Sequence, residues 1–448
     1  MNAGVVVIGG GGSGLRAALA AAQAGASVDL YEKTEDAGGK TAMSIGIMTA
    51  SQSSFQRRAG IEDTHERHLD DIRTLVHEAG KQIADESMVR FILESSAEEV
   101  EQLAALGVRF SGPHPEGAHK TPRMHVIQPD CRELARILID ACVRAGVRIH
   151  TSSPGRKLLL DDDGRVSGVV VAAPDGERRV PARAVVLTAG DYSGDPSFIR
   201  SVAPDAPLAQ VFRSFASGDG HRMGMRAGAA TLNMGSINTP HLRFRDWPFV
   251  EPSPKLFAAG AILMNARGER IATTPGESAG LVGYDGASAL YVVIDAATAP
   301  QLASAADDVG IGRNGWRRTG KPFIGTAPGV GFAYLEDCAR WTWSSENASP
   351  AAVAVRTGGP RDTVERTLAG TTPPYTVLGP LGCYLMNTGG GLAVDREMNV
   401  LATSGEPIPG LFSGGTNARI IPYIGHGYAL AWAMASGRIA GRSASFQV

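Results

Sequence analysis

Apolar residues open the chain as an unbroken run, Val5-Val-Val-Ile8, rather than in alternation with polar ones. A short β-branched run of this kind predicts a strand covered on both faces, as in a parallel sheet. Glycines 9 to 12, Ser13 and Gly14 follow, and the Ala-rich stretch Leu15–Ala24 predicts a helix. Ser27–Glu32 predicts a second strand. Gly9, Gly11 and Gly14 therefore fall on Gly-x-Gly-x-x-Gly at a strand-to-helix turn. Gly9 allows the tight turn, Gly11 lets a pyrophosphate approach the backbone, and Gly14 lets helix and strand pack closely. The helix N-terminus offers free N–H groups to the phosphates. Glu32 closes the second strand, where a carboxylate accepts both ribose hydroxyls. This stretch predicts a dinucleotide-binding βαβ unit.

Further along, Gly38-Gly-Lys-Thr41 looks like the tail of a triphosphate-binding loop, but Thr34 stands where that loop needs its first glycine. A glycine-rich turn touching the same pyrophosphate is the better reading. Residues 62–80 and 85–106 carry helical periodicity, with Asp85 as N-cap of the second. His65 and His68 lie one turn apart among acidic residues without the His-Glu-x-x-His spacing of a metal site, so a solvated helix face is expected. Asp130–Glu133 starts a helix running to Arg144. Asp161–Gly164 joins two apolar runs as a hairpin, Pro174–Gly176 begins another turn, and Ala184–Ala189 is a second buried strand closed by Gly190. From 231 to 366 the composition shifts to prolines and tryptophans around the strands Ala261–Asn265 and Leu290–Asp295, which predicts an inserted domain. The expected division is thus 1–230, 231–366 and 367–448. Gly310–Gly315 repeats the Gly-x-Gly-x-x-Gly spacing, but no apolar strand feeds it, so no second dinucleotide site is expected.

Composition narrows the classes. A chain of 448 residues has room for about two or three domains. A formal charge of −2 gives no reason to expect nucleic acid or an anionic membrane as partner. No apolar run reaches membrane-spanning length. The first strand begins at Val5, leaving no room for a cleavable signal, so a cytoplasmic location is expected. Cys131, Cys142, Cys338 and Cys383 form no metal-ligand spacing and are expected to be buried thiols.

The C-terminal region brings a second set of signals: Thr388-Gly-Gly-Gly-Leu-Ala-Val-Asp395, Pro407-Ile-Pro-Gly-Leu-Phe-Ser-Gly-Gly415, Gly425-His-Gly-Tyr428 and Ala433-Met-Ala-Ser-Gly-Arg-Ile-Ala-Gly441. Taken with the N-terminal glycines, Tyr31-Glu-Lys33, Gly38–Thr41 and Val185-Val-Leu-Thr-Ala-Gly190, the chain resembles the fumarate reductase/succinate dehydrogenase flavoprotein family over nearly its whole length. The resemblance implies a Rossmann-like α/β domain built from both chain ends, binding FAD, with an inserted α+β cap. It implies FAD contacts from Gly9, Gly11, Gly12, Ser13, Gly14, Glu32, Lys33, Gly39, Lys40, Thr41, Ser44 and Gly46. Gly155, Ala189, Gly190, Gly415, Thr416, Ala429 and Leu430 complete that set. A histidine stands at the Lys40 position in members with attached flavin, so non-covalent FAD is expected.

Departures from the family pattern bear on the substrate. The arginine acid expected after Ile262–Arg270 is missing, and so is the histidine expected near Leu385-Met-Asn387. Tyr423-Ile-Gly-His-Gly427 instead resembles a segment of the 3-ketosteroid and cyclic-ketone dehydrogenases, where a tyrosine hydroxyl and a glycine N–H hold the substrate carbonyl. That match implies catalytic roles for Tyr423 and Gly427, with His426 beside them and Tyr284 as the cap-domain tyrosine. Arg123-Met-His125 keeps the Arg-x-His form of the dicarboxylate enzymes. His125 is then a catalytic candidate, and Arg123, Arg419, Arg243 and Arg245 are candidate carboxylate ligands. The leading expectation is an FAD-dependent α,β-desaturase of a cyclic ketone, such as a keto acid or ketosteroid-like molecule, passing electrons to an unidentified acceptor. An ene reductase of an unsaturated acid, a flavin monooxygenase and a non-catalytic flavoprotein subunit are the alternatives. No metal is expected, and the oligomeric state stays open.

Overall fold

Val5–Ile8 lies at the centre of a sheet and is enclosed on both faces, as an uninterrupted apolar run requires. The computed structural model describes residues 3–44, 46–78, 82–83, 85–115, 119–173, 176–204, 210–211, 215–237, 241–244, 251–252, 254–272, 289–298, 300–302, 323–327, 331–334, 344–385, 387–418 and 425–447. The chain forms two units: Met1–Ala206 with Arg213–Asn238 and Asn387–Val448, and Pro207–Phe212 with Thr239–Met386.

In the first unit the main strands are β1 (Ala3–Ile8), β2 (Val28–Tyr31), β3 (Ile47–Thr49), β4 (Met124–Gln128), β5 (Arg148–His150), β6 (Gly155–Leu160), β7 (Val166–Ala173), β8 (Gly176–Leu187), β9 (Asn399–Leu401) and β10 (Pro407–Ser413). The main helices are α1 (Gly12–Gln23), α2 (His65–Glu78), α3 (Glu86–Ala105), α4 (Cys131–Arg144) and α5 (Tyr428–Ser445). The principal sheet runs β9-β10-β8-β1-β2-β5. β1 pairs in parallel with β2 (Val5↔Val28) and with β8 (Val5↔Ala184), and β8 pairs in parallel with β10 (Leu411↔Val185). This is the Rossmann-like α/β arrangement that the glycine turn predicts. The two apolar runs around Asp161–Gly164 form the expected antiparallel pair β6–β7. Asp85 and Asp130 cap α3 and α4 through their side chains, as read from the sequence.

α1 and α5 touch backbone to backbone. A Cβ on Gly437 would lie 2.3 Å from the Ser13 carbonyl oxygen, and one on Gly441 would lie 2.0 Å from that of Ala17. Glycine at both positions is what lets the helices approach so closely. Beside this seam the buried Glu99 of α3 accepts from Arg16 of α1 and, at 2.7 Å, from Arg438 of α5. Two guanidiniums on one enclosed carboxylate tie three helices into one register. The Cys131 and Cys142 thiols are buried, and burial pushes both up to about 12. No helix among the described residues is long and apolar enough to cross a membrane.

The second unit is built on Leu290–Asp295, flanked by Ile262–Asn265 and Tyr375–Leu385 in antiparallel register. Its side chains alternate, and both faces are buried. Val292 and Ile294 join Leu242, Phe244 and Leu263, while Tyr291 and Val293 join Val353 and Val364 of the helices Pro350–Thr357 and Arg361–Thr367. The composition shift read at 231 and 366 differs from this division. Thr231–Leu232 pairs with Gly391–Leu392 inside the first unit, and Tyr375–Leu385 belongs to the sheet of the second. Gly310–Gly315 and the turn residues Pro174 and Asp175 lie outside the described residues.

Candidate functional site

The C-terminal end of β1 turns through Gly9 (φ +102°) into α1. A Cβ on Gly9 would lie 2.5 Å from the Thr188 carbonyl oxygen, and one on Gly14 would lie 1.8 Å from that of Gly9. A Cβ on Gly11 would meet nothing within 4 Å. The outer glycines thus serve packing, and the middle one leaves its backbone open to an incoming group. Glu32, 7% exposed, holds this loop: Oε2 accepts from the Gly10 N–H at 2.7 Å, and Oε1 accepts from the Thr34 N–H and hydroxyl, both at 2.8 Å. Gly38-Gly39 lies against the loop, with the Gly38 N–H donating to the Gly10 carbonyl at 2.8 Å and the Gly12 N–H to Thr41 Oγ1 at 3.2 Å.

From the other chain end, β10 delivers Gly415 to the same place. Its N–H donates to Ser436 Oγ at 2.8 Å, its carbonyl accepts from the Trp432 indole at 2.6 Å, and a Cβ there would lie 3.1 Å from Ser13 Oγ. Asn417, just beyond Thr416, accepts from the Ala189 N–H at 3.1 Å. Ser13 Oγ and Asn417 Nδ2 are buried without a partner. Buried polar atoms are nearly always bonded, so two of them beside an open glycine fit a hydrogen-bonding ligand such as FAD.

Both lysines read as cofactor contacts are held by carboxylates. Lys33 donates to Ser217 and Asp219, each at 2.8 Å. Lys40 donates to both oxygens of Asp191 at 2.9 and 3.0 Å and to Ser193 at 2.6 Å. Burial pushes the Asp191 carboxyl up, but Lys40 and the Ser193 bonds outweigh it and hold the carboxyl below its usual range. Ser44 accepts from Gly46 at 3.3 Å. Gly155 packs on Ile8, Gly190 (φ +82°) packs on Ala216, Leu430 is buried, and Ala429 is half-buried.

A second cluster gathers where α2, β3 and β4 meet the start of α5. His68, expected on a solvated helix face, is fully buried, because α2 turns it inward with Leu69, Ile72 and Val76. Its Nδ1 and that of His65 share the Ser51 hydroxyl at 3.0 and 2.9 Å, and its Nε2 bonds Thr49 Oγ1 at 3.1 Å. Burial holds the His68 imidazole well below its usual pKa. The ring packs against His119 and Tyr428, with centroids 5.6 and 5.4 Å away. Among the described residues no His, Cys, Asp and Glu side chains group as a metal-binding set.

Arg123, read as a carboxylate ligand, and His125, read as a catalytic candidate, are both enclosed. Arg123 is 0% exposed, with Nε and Nη2 on Asp63 at 2.6 and 2.8 Å and Nη1 on Asp71. That guanidinium is enclosed in the core, paired with Asp63 and Asp71 and 3.4 Å from His119 Nδ1. His125 is also fully buried; Nδ1 donates to the Arg123 carbonyl and Nε2 bonds Ser53 Oγ, both at 2.8 Å. Desolvation lowers its pKa to about 4, so it is a neutral core histidine.

Gly425, His426 and Gly427 all have positive φ (74°, 50° and 81°) and lead into α5. Gly427 backs onto β3, its carbonyl accepting from the Thr49 N–H at 3.4 Å. Tyr423, Arg419, Tyr284 and Arg245, together with the Arg243 side chain, lie outside the described residues.

A family model described as an FAD binding domain matches residues 4–304, more than half the chain. The chain belongs to that FAD-binding family. Fumarate reductase (cytochrome) of Shewanella frigidimarina is 26% identical over 424 residues, covering 92% of this chain and 71% of the relative. A flavocytochrome c3 fumarate reductase in its open conformation superposes with a TM-score of 0.84 at 22% identity, over 100% of this chain and 78% of that one. The 3-ketosteroid-Δ4-(5α)-dehydrogenase of Rhodococcus jostii RHA1 superposes at 0.67 and 24% identity, over 99% and 97%. This FAD-binding family member is thus an FAD-dependent oxidoreductase acting on carbon–carbon bonds. The glycine loop and the Gly415 turn, both read from the sequence, lie together at Ser13 and are the cradle proposed for that cofactor. The buried His68–His119–Tyr428 cluster was missed, since nothing local in the sequence marks which histidine a helix turns inward.

Proposed function

We propose that the protein is an FAD-dependent α,β-desaturase of a cyclic ketone, with a keto acid or ketosteroid-like molecule as the substrate class. The supporting observation is the state of Arg123: the cation a dicarboxylate enzyme would use is fully enclosed and ion-paired with Asp63 and Asp71. Carbonyl recognition then falls to uncharged donors, the Gly427 N–H at the start of α5 and the Tyr423 hydroxyl. Two donors on a carbonyl oxygen stabilise the enolate that develops as the α-proton leaves, and the helix N-terminus adds positive potential. Tyr284 is the proposed acceptor of that proton. Gly9–Gly14, Glu32, Ala189–Gly190 and Gly415–Thr416 would hold the FAD, which when bound takes up the β-hydrogen as hydride. An electron acceptor completes the turnover.

The similarity to fumarate reductases favours one other reading, reduction of an unsaturated acid with Arg419 as its carboxylate ligand. Anaerobic titration separates the two. Bleaching of the flavin by a saturated cyclic ketone from a panel supports the desaturase. Reoxidation of dye-reduced flavin by an enoate, with no ketone active, replaces it with the reductase.

A further inference from the structure

His119 has no role in the sequence reading, yet it connects the buried ion pairs to the turn before α5. It is 7% exposed, with Nδ1 3.4 Å from Arg123 Nη1 and Nε2 3.4 Å from the His426 carbonyl oxygen. A guanidinium only donates, so Nδ1 must accept. The ring hydrogen is then on Nε2 and points at the His426 carbonyl. Asp63 and Asp71 fix Arg123 in turn. The result is a directed series from carboxylates through guanidinium and imidazole to one backbone oxygen.

That oxygen belongs to the peptide unit whose other polar group is the Gly427 N–H. In a planar trans peptide the C=O and N–H point in opposite directions, so anchoring one aims the other. The Gly427 N–H donates to no described residue, and the glycine is half-buried rather than sealed. The turn also needs an anchor. His426 is the non-glycine member of three successive left-handed residues, a conformation that side chains with a Cβ rarely adopt. Both His119 contacts are at the long end of hydrogen-bond range, as is common in a site that tightens only when a ligand pulls on it.

We propose that His119 is a positioning residue: its Nε2–H, held in that tautomer by Arg123, clamps the His426 carbonyl and so aims the Gly427 N–H at the substrate's carbonyl oxygen. The inference rests on the desaturase reading and adds to it the origin of the donor's alignment.

The test uses the FAD-loaded protein and two probes of similar shape, 4-nitrophenolate as an enolate mimic and 4-nitrotoluene as its uncharged counterpart. Wild type is expected to bind the phenolate more tightly. His119→Leu removes the ring donor and is expected to weaken phenolate binding roughly tenfold or more, less than outright loss of an oxyanion donor, with nitrotoluene unaffected. His119→Gln, which keeps an N–H near the Nε2 position, retains most of the phenolate affinity. Arg123→Lys keeps a charge for Asp63 but gives up the contact to His119, and it repeats the test should the leucine variant not fold. Phenolate binding unchanged in His119→Leu and Arg123→Lys, or both probes weakened alike, overturns the positioning role while the wild-type preference leaves the desaturase reading standing. A wild type with no preference for the phenolate overturns that reading, and the aimed donor with it.

Discussion

Glu32 holds the loop through the Gly10 and Thr34 amides and the Thr34 hydroxyl, which leaves one of its carboxylate's roughly four lone-pair sites for the ribose contact proposed for it. Glu32→Ala removes both, so FAD affinity is expected to fall about tenfold or more, the scale of one charge-assisted hydrogen bond. An unchanged titration would show the loop to be held otherwise. Tyr423→Phe is expected to slow flavin reduction by a responsive ketone about a hundred- to a thousandfold, with FAD binding intact. A drop below about threefold, far short of that range, rejects its hold on the carbonyl. His125 carries a pH signature. Its pKa is depressed from 6.5 to about 4 in the folded protein, so the unfolded chain binds a proton first as pH falls. Stability is therefore full above 6.5 and declines as pH drops towards 4, by roughly 3 kcal/mol from this group. Unfolding midpoints of wild type and His125→Gln, compared at pH 7 and pH 5, measure it; equal pH slopes in the two proteins assign the effect elsewhere. The close backbone approaches at Gly9 and Gly14 were legible because few residue types meet such constraints. His68, His119 and Arg123 were not, because their roles come from partners up to 307 positions away.

At the level of elements, the α1–α5 seam is the joint on which the cradle depends. α1 carries the glycine loop at its start, and α5 supplies Ser436 and Trp432 to hold Gly415. Gly441→Ala places a methyl 2.0 Å from the Ala17 carbonyl oxygen, which forces the helices apart. The expected result is a loss of stability of about 1–3 kcal/mol together with weaker FAD retention, read by thermal unfolding with and without added FAD. Stability lost with FAD affinity unchanged would separate the seam from the cradle. The apolar-run, periodicity and capping rules that located β1, α3 and α4 did not find the strand Tyr375–Leu385. Gly379, Pro380 and Gly382 interrupt its apolar pattern, and the register shifts between Leu290 and Val292 opposite them. Such interruptions mark a bulge in a strand as often as its end. α2 was located well, but with the wrong face outward: acidic neighbours around His65 and His68 masked the apolar set Leu69, Ile72 and Val76.

For the whole molecule, the FAD-binding unit draws on three stretches of chain, with the inserted unit threaded between them. Its flavin is expected to be released intact by heat or acid, since Lys40 is engaged with Asp191 where an attachment residue would stand. Flavin travelling with the denatured polypeptide on a gel contradicts this. The general architecture was legible because both ends of the chain carry recognisable glycine patterns; the limits of the insertion were not, because a composition shift does not say which sheet a strand joins. The order of those stretches has a consequence for biosynthesis. The ribosome releases the glycine loop first, yet Gly415 and α5, which complete its surroundings, emerge only after the whole insertion. A nascent chain therefore lacks the Gly415 turn and α5 until the whole insertion has been made, so the buried surroundings of the glycine loop are the last part of the unit to be completed.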